Sequence, residues 1–364
     1  MYLRKVTYQL VQKIKSLVPP FHRPHHENLA HLVVGLVYGR SVNLPKAAAA
    51  VPCRGIQVAS RVERFERLVQ CPKLVPLQAL RPVAQKVLRS LYRQGAEIRL
   101  IMDRSMINDT LNLLHLSVAY GGRALPLGWV RVPHEGNSNL ALQQALLRWG
   151  KACLPPGARA TVIADREFHS IHLAQWIAAT LQLDFVLRIK AGTKVELDGN
   201  WYKAGELVWR GRTSFCAALK VTADPKAQAR VNLVTRWDAG QAEPWLLITN
   251  LTSARQVCAH YATRFGIEEM FSDHKSRGLD LEATRLTDPD RLERLLVAVS
   301  LAYLWIMEVG AFVVQTGQWR QVDQRGARRS VSLCQIGLRW FQARQHLGRL
   351  PPCLTGCFKV WEVS

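Results

Sequence analysis

EIRLIMDRSMINDTLNLLHLSVAYGGRALPLGWVRV, residues 97–132, is the stretch that decides the fold. Its first part, EIRLIMD (97–103), is a short apolar run ending on Asp103. LNLLHLSVAYGGRALPLGWVRV (111–132) reads as two strands joined at Gly121–Gly122, because paired glycines supply the positive φ values of a tight hairpin turn. A helix is expected over 139–150, then the strand ATVIAD (160–165) ending on Asp165. The amphipathic helix HSIHLAQWIAATLQL (169–183) and the strand DFVLRIK (184–190) follow. The order βββαβαβ predicts an α/β fold with a mixed sheet flanked by helices.

Outward from this block the rhythm changes on both sides. Residues 191–244 alternate in short segments, KVELDG, WYKAGELVW, FCAALKVT and RVNLVTRW, which predict a β-rich insertion before the strand WLLITN (245–250). Upstream, residues 27–69 read as three short helices. The first is ENLAHLVVGLVYG, closed by Gly39, and the second is LPKAAAAV, closed near Pro52. In the third, Val58, Val62 and Phe65 recur at helical spacing, with Arg64 and Arg67 at the margin of that stripe. Two readings stand for this trio: a helix-turn-helix with a basic final helix, or a small bundle with a solvated basic face. Leu295 to Val314 is apolar enough to span a bilayer, but Glu308 interrupts it, so a buried core helix is expected and no membrane.

Charge narrows the partner. The chain has 364 residues, with 49 Lys+Arg against 27 Asp+Glu, a net charge of +22. Its sequence pI is about 10.2 and its mean hydropathy is -0.04. A globular chain with such a field attracts polyanions, nucleic acid foremost. The excess is uneven: residues 1–95 carry a net +13 and residues 310–364 a net +6. The eight cysteines form no CxxC pair, and no His/Cys partners stand at zinc spacing, so free buried thiols in a reducing cytoplasm are expected. HRPHH (22–26) has no carboxylate or cysteine to complete a metal site and reads as a solvated basic segment. The N-terminus has no apolar signal core. The absence of a P-loop, GxGxxG or Ser/His/Asp motif argues against nucleotide hydrolysis, dinucleotide redox and acyl transfer, and no nucleotide cofactor is expected.

The chemistry gathers in YATRFGIEEMFSDHK, residues 261–275. On a continuous helix Tyr261, Arg264, Glu268 and Lys275 fall within about 60° of one another, while Glu269 points about 100° away from Glu268. A phenol, a guanidinium, a carboxylate and an ammonium make a poor core face and a good surface for phosphates beside a metal ion. Asp103 and Asp165 both end apolar strands, the edge where open α/β sheets bind their ligands. Asp109 and Asp184 read instead as turn or cap residues. Three carboxylates, Asp103, Asp165 and Glu268, make a hard-oxygen set suited to Mg²⁺ or Mn²⁺. His274, beside Lys275, reads as polar surface, and Arg166 as a DNA contact or a partner for Glu167.

These features resemble the DDE transposases of bacterial insertion sequences, within them the subgroup marked by Tyr-x2-Arg-x3-Glu-x6-Lys, which this chain matches at every position. The blocks IMDRS (101–105), DREF (165–168), WLLITNL (245–251) and DPDRLERLLVAVSLAYL (288–304) are similar to that family's, in its order. The resemblance covers roughly 96–310. It implies an RNase H-like catalytic core with a β-rich insertion before the last catalytic helix and an N-terminal helical DNA-binding domain. The expected division is 1–95 for DNA ends, 96–190 and 245–310 for the core, 191–244 for the insertion and 311–364 for a basic C-terminal helical region. It further implies that Asp103, Asp165 and Glu268 are a catalytic triad holding two Mg²⁺ ions, with Mn²⁺ able to substitute. Arg264 and Lys275 would hold phosphates of the transposon end, and Tyr261 would contact the backbone nearby. Trp245 stands where related enzymes stack a flipped base, though ordinary strand packing explains it equally well. Arg64 and Arg67 would contact DNA from the N-terminal region.

The implied activity is cut-and-paste transposition of an insertion sequence. Phosphodiester hydrolysis and transesterification at terminal inverted repeats would pass through a hairpin. The implied partners are double-stranded DNA, as ends and as target, and a second copy of the chain on paired ends. The implied location is the bacterial cytoplasm, at the nucleoid. Two alternatives remain at this point: a metal-dependent DNA nuclease without strand transfer, and a non-catalytic DNA-binding protein derived from a transposase.

Overall fold

The computed structural model describes residues 2–19, 23–51, 56–107, 110–222, 229–324 and 331–347. Asp109, His22 and three of the eight cysteines, Cys53, Cys353 and Cys357, lie outside the described residues. The chain opens with α1 (Tyr2–Leu17), α2 (Arg23–Gly39), α3 (Leu44–Ala50), α4 (Val58–Gln70) and α5 (Pro76–Arg93). The core follows as β1 (Ile98–Ile107), β2 (Leu111–Tyr120), β3 (Arg123–Arg131), α6 (Leu140–Cys153), β4 (Ala160–Ala164), α7 (Ile171–Trp176) and β5 (Asp184–Arg188). The insertion contains β6 (Lys194–Leu197), β7 (Asn200–Lys203), β8 (Thr213–Thr222) and β9 (Ala229–Arg236). The last elements are β10 (Trp245–Thr249), α8 (Ala254–Ala262), α9 (Phe265–Ser272), α10 (Pro289–Gln315) and α11 (Leu333–Leu347).

Among the described residues all strands join one sheet, in the order β3-β2-β1-β4-β5-β10-β9-β8-β6-β7. β1, β2 and β3 form an antiparallel meander. Gly121 and Gly122, with φ of 55° and 73°, make the turn between β2 and β3, as two-residue hairpins require. β4 and β5 then add in parallel beside β1, reached through crossovers that contain α6 and α7. This is the RNase H-like mixed sheet flanked by helices. The insertion does not form a sheet of its own. β10 pairs antiparallel with both β5 and β9, so the strands of 191–244 continue the same sheet.

The core forms where apolar strands meet apolar helices. β2 is buried almost throughout, with α6 and α9 among the helices packed on it. α10 is the core helix expected from Leu295 to Val314; it is long and apolar enough to cross a membrane, yet 89% of its most apolar window is buried inside the protein. Asp288 caps it by accepting from the Arg291 N–H, and Pro289 starts its first turn, where a missing N–H costs nothing. α2 and α4 pack on α10, so the N-terminal helices and the sheet share one hydrophobic core. α11 also packs on α10, where Gly310 and Gly337 face each other's helix. A Cβ at either would lie 2.1 Å from a backbone oxygen, of Leu333 or of Ile306. The described part of the C-terminal region therefore packs onto the core.

Two sequence expectations change at the sheet edge. Asp103 does not end its strand: β1 runs on to Ile107, because beyond the last β4 pair it stays paired with β2 as far as Ile107↔Leu111. Residues 261–275 are not one α-helix. α8 stops at Ala262, α9 starts at Phe265, and a π turn covers Asp273–Arg277. The first break has a local cause. The Thr263 hydroxyl donates to the His260 carbonyl at 2.7 Å, and Arg264 N–H bonds Tyr261 O, which tightens the turn. At the second, a Cβ on Gly278 would meet Asp273 O at 2.4 Å, so only glycine closes the wide turn against that carbonyl.

Candidate active site

The parallel register pairs Met102 with Ala164, so the next residues, Asp103 and Asp165, stand side by side on neighbouring strands. Each carboxylate is oriented by the backbone that follows it. Arg104 N–H donates to Asp103 Oδ1 at 2.8 Å, and Arg166 N–H donates to Asp165 Oδ1 at 2.7 Å. The third acid arrives from α9. That helix lies close to the β2–β3 hairpin because position 266 is glycine; a Cβ there would be 2.6 Å from Arg123 O.

Arg264 ties the three acids together. Its Nη1 lies 3.4 Å from Asp103 Oδ2 and 4.0 Å from Asp165 Oδ2, while Nη2 donates to Glu268 Oε1 at 2.5 Å. The guanidinium side chain is only 6% exposed. Glu268 thus joins the two aspartates, whereas Glu269 turns to Arg123 at 3.1 Å and Arg277 at 3.5 Å. Arg123 also grips Asp273 at 2.9 Å, and the Tyr303 hydroxyl donates to the same carboxylate at 3.2 Å. One arginine at the β2–β3 hairpin therefore anchors both α9 and the π turn that follows it.

The remaining sequence candidates fall into two groups. Tyr261 is fully buried and donates its hydroxyl to Asp165 Oδ1 at 3.1 Å, rather than facing outward toward a backbone. Burial, aided by the Asp165 charge, holds that hydroxyl well above its ordinary pKa. Trp245 is half-buried and meets Tyr261 edge-on at 4.9 Å, with Phe265 at 6.3 Å and the Arg236 guanidinium 5.6 Å over its ring. Lys275 lies in the π turn, half-buried, and forms no hydrogen bond or ion pair among the described residues. Arg64 and Arg67 belong elsewhere: with His25, Asn28 and Gln70 they line a groove beside α2 and α4, and no hydrogen bond or ion pair joins them to the carboxylates.

Other residues correct the sequence reading or were missed by it. Arg166 does not pair with Glu167; it binds Glu243 at 2.8 Å, and Glu167 takes Arg104 Nε at 3.0 Å. His274 is not surface. The π turn directs it inward against Tyr303, with ring centroids 4.7 Å apart, and burial lowers its pKa to about 4. Arg188 was missed, although it is the charged residue ending the buried strand FVLRIK; its Nη1 faces Asp165 at 3.7 Å. Nothing in the local sequence marks Glu243 or Asp273.

A family model described as the transposase DDE domain matches residues 107–305, more than half of the chain. The chain belongs to that family. No curated protein matches this DDE transposase chain. A cryo-EM structure of the piggyBac transposase synaptic complex with hairpin DNA is similar at 13% identity and a TM-score of 0.44, covering 98% of this chain and 81% of that chain. The family match takes in Asp165, Trp245, Tyr261, Arg264, Glu268 and Lys275 but begins after Asp103. For Asp103 the support is geometric: its place level with Asp165 and its share in Arg264.

DDE transposase domains depend on divalent metal. The donor set fits, since three carboxylates present hard oxygens to one shared cation. As they stand, that cation is Arg264, and among the described residues no three His, Cys, Asp or Glu side chains are grouped to hold a metal ion. Burial raises the Asp103 pKa to about 6, with Asp165 and Glu268 adding to the rise, against the Arg104 N–H and Arg264, which lower it. A carboxyl whose folded pKa lies above its unfolded value binds its proton more tightly when folded. Between pH 4 and 6 the native state therefore holds the extra proton, and stability falls as pH rises through that window. In EDTA the loss is expected to be on the order of 2 kcal/mol. Thermal unfolding across that range should show the slope in the wild type and a flatter one in Asp103→Asn. Equal slopes would mean that Asp103 keeps an ordinary pKa.

Proposed function

We propose that the chain is a cut-and-paste transposase of an insertion sequence, acting on the terminal inverted repeats of its own element. The observation that carries this reading is the convergence of Asp103, Asp165 and Glu268, from two adjacent strands and a facing helix, on one buried guanidinium. The triad would hold two Mg²⁺ ions, with Mn²⁺ able to substitute. The chemistry they supply when bound is activation of a water or 3′-hydroxyl and stabilisation of the leaving oxygen.

The chain's own residues have distinct tasks in this reading. Tyr261, by donating to Asp165, orients that carboxylate and leaves its outer oxygen for a cation. Arg264, once released from the acids, lies where it can fork a phosphate of the transposon end. Lys275, uncommitted to any described side chain, offers a compact charge for a strand that moves. Trp245 presents a partly exposed ring for an extruded base, a contact worth about 1–3 kcal/mol. Arg64 and Arg67 on α4 supply charge for end recognition. Hydrolysis of one strand would free a 3′-OH, whose attack on the opposite strand gives a hairpin. After opening, the same hydroxyl attacks target DNA, with two copies of the chain holding the two ends.

The test is incubation of the purified protein with a plasmid carrying its gene and native flanks in Mg²⁺, read on a denaturing gel. Cuts at discrete repeat ends with hairpin-length products, absent in EDTA, are expected. Cuts without hairpins or strand-transfer products would assign a nuclease, and binding without cleavage would assign a DNA-binding protein.

A further inference from the structure

Glu243 stands in the loop ahead of β10 with 54% of its side chain exposed, yet two guanidiniums hold it. Arg166 Nη1 donates to both its oxygens, at 3.1 and 2.8 Å. Arg188 Nη2 donates to Oε2 at 3.1 Å, and also to the Pro244 carbonyl at 3.1 Å. Neither arginine belongs to the tetrad of Tyr261, Arg264, Glu268 and Lys275, yet both adjoin Asp165. Arg166 follows it in the chain, and the Arg188 Nη1 is 3.7 Å from its Oδ1. One carboxylate that takes two arginines beside a site of phosphodiester chemistry sits as a phosphate would.

We propose that Arg166 and Arg188 are a phosphate-binding pair for the DNA strand entering the site, and that Glu243 is a built-in competitor occupying the pair until DNA displaces it. The inference rests on the transposase reading above. Physical chemistry favours the exchange. The Arg166–Glu243 pair is exposed on both sides and contributes little net stability, so this half of the clamp is readily replaced. A phosphate is a better fork acceptor, and it arrives on a polyanion whose binding also releases counterions. In a free protein of charge +22, loss of Glu243 would leave Arg166 without its ion-pair partner and Arg188 with Asp165 alone. With Glu243 in place, strands that bring a single weak contact are refused, and a phosphate backbone aligned past Asp165 is admitted.

The experiment measures binding of the full chain to a fluorescein-labelled random-sequence duplex in EDTA, across a salt series. Glu243→Gln is expected to tighten binding about two- to fivefold, the fold-change of an exposed ion pair removed. Arg166→Gln and Arg188→Gln should each weaken binding and flatten the salt slope by about one phosphate contact. In the Arg166→Gln, Arg188→Gln background the Glu243→Gln gain should vanish. Unfolding curves taken alongside separate a structural tie: unchanged affinity with a lowered melting temperature in Glu243→Gln would overturn the proposal. If wild type and variants all fail to bind duplex at low salt, the transposase reading falls with it. If wild type binds and Glu243→Gln binds equally or more weakly, this inference alone falls.

Discussion

Asp165→Asn and Glu268→Gln are each expected to stop DNA cleavage while the protein stays folded and bound to DNA. Both changes keep the shape of the side chain and remove its charge. In Asp165→Asn the Oδ1 oxygen still accepts from the Tyr261 hydroxyl and the Arg166 N–H, so the local backbone has no reason to move. Glu268 is half-exposed, so its amide is easily solvated. What both variants lose is a hard anionic donor, and a neutral amide is a poor ligand for Mg²⁺. With charge development on both attacking and leaving oxygens left less compensated, the rate should fall at least about a thousandfold. Single-turnover cleavage of an end-labelled duplex measures the rate, and binding in EDTA checks that the DNA site survives. Substantial cleavage in both variants would place the metal site on other residues.

Much of the strand order was readable because each strand carries its own signal. Alternation and apolar runs mark β1 to β5, and Gly121–Gly122 marks the hairpin. Asp165 was placed correctly at a strand end because β4 is short and buried throughout, so the first charge coincides with its end. Asp103 was not, because β1 keeps a neighbour in β2 after β4 has ended, and pairing partners leave no mark in the strand itself. The stripe of Tyr261, Arg264 and Glu268 was visible as spacing, and its break at Thr263 was not. A side-chain hydroxyl turning back on its own helix needs no unusual residue. Arg123 and Asp273 are 150 positions apart, and Arg166 and Glu243 are 77 apart. Such pairs are created by the fold, and a reading of local pattern has no access to them. His274 shows the same limit: beside a lysine it reads as surface, and only the π turn makes it core.

Arg264→Gln is expected to destabilise the metal-free protein by up to about 3–5 kcal/mol and to make its stability strongly dependent on divalent ions. The guanidinium is buried, with a ring of Phe265 4.8 Å from it, and its Nε has no partner among the described residues. Removing it leaves Asp103, 18% exposed, without an ion-pair partner beside Asp165, which keeps only Arg188 at 3.7 Å. Glu268 adds little to the cost, since water already reaches it. The penalty is largest above pH 6, where Asp103 would otherwise be ionised, and shrinks below it. Mn²⁺ or Mg²⁺ should recover the loss, and should raise the melting temperature of the variant by more than that of the wild type, where the ions must first displace Arg264. Arg264→Lys should fall between the two, because one ammonium restores the charge without spanning three carboxylates. Melting curves in EDTA and across a Mn²⁺ series read all three proteins without any turnover. Equal Mn²⁺ shifts in wild type and Arg264→Gln would mean that the arginine does not compete for the carboxylates, and that the ions enter a site it leaves open.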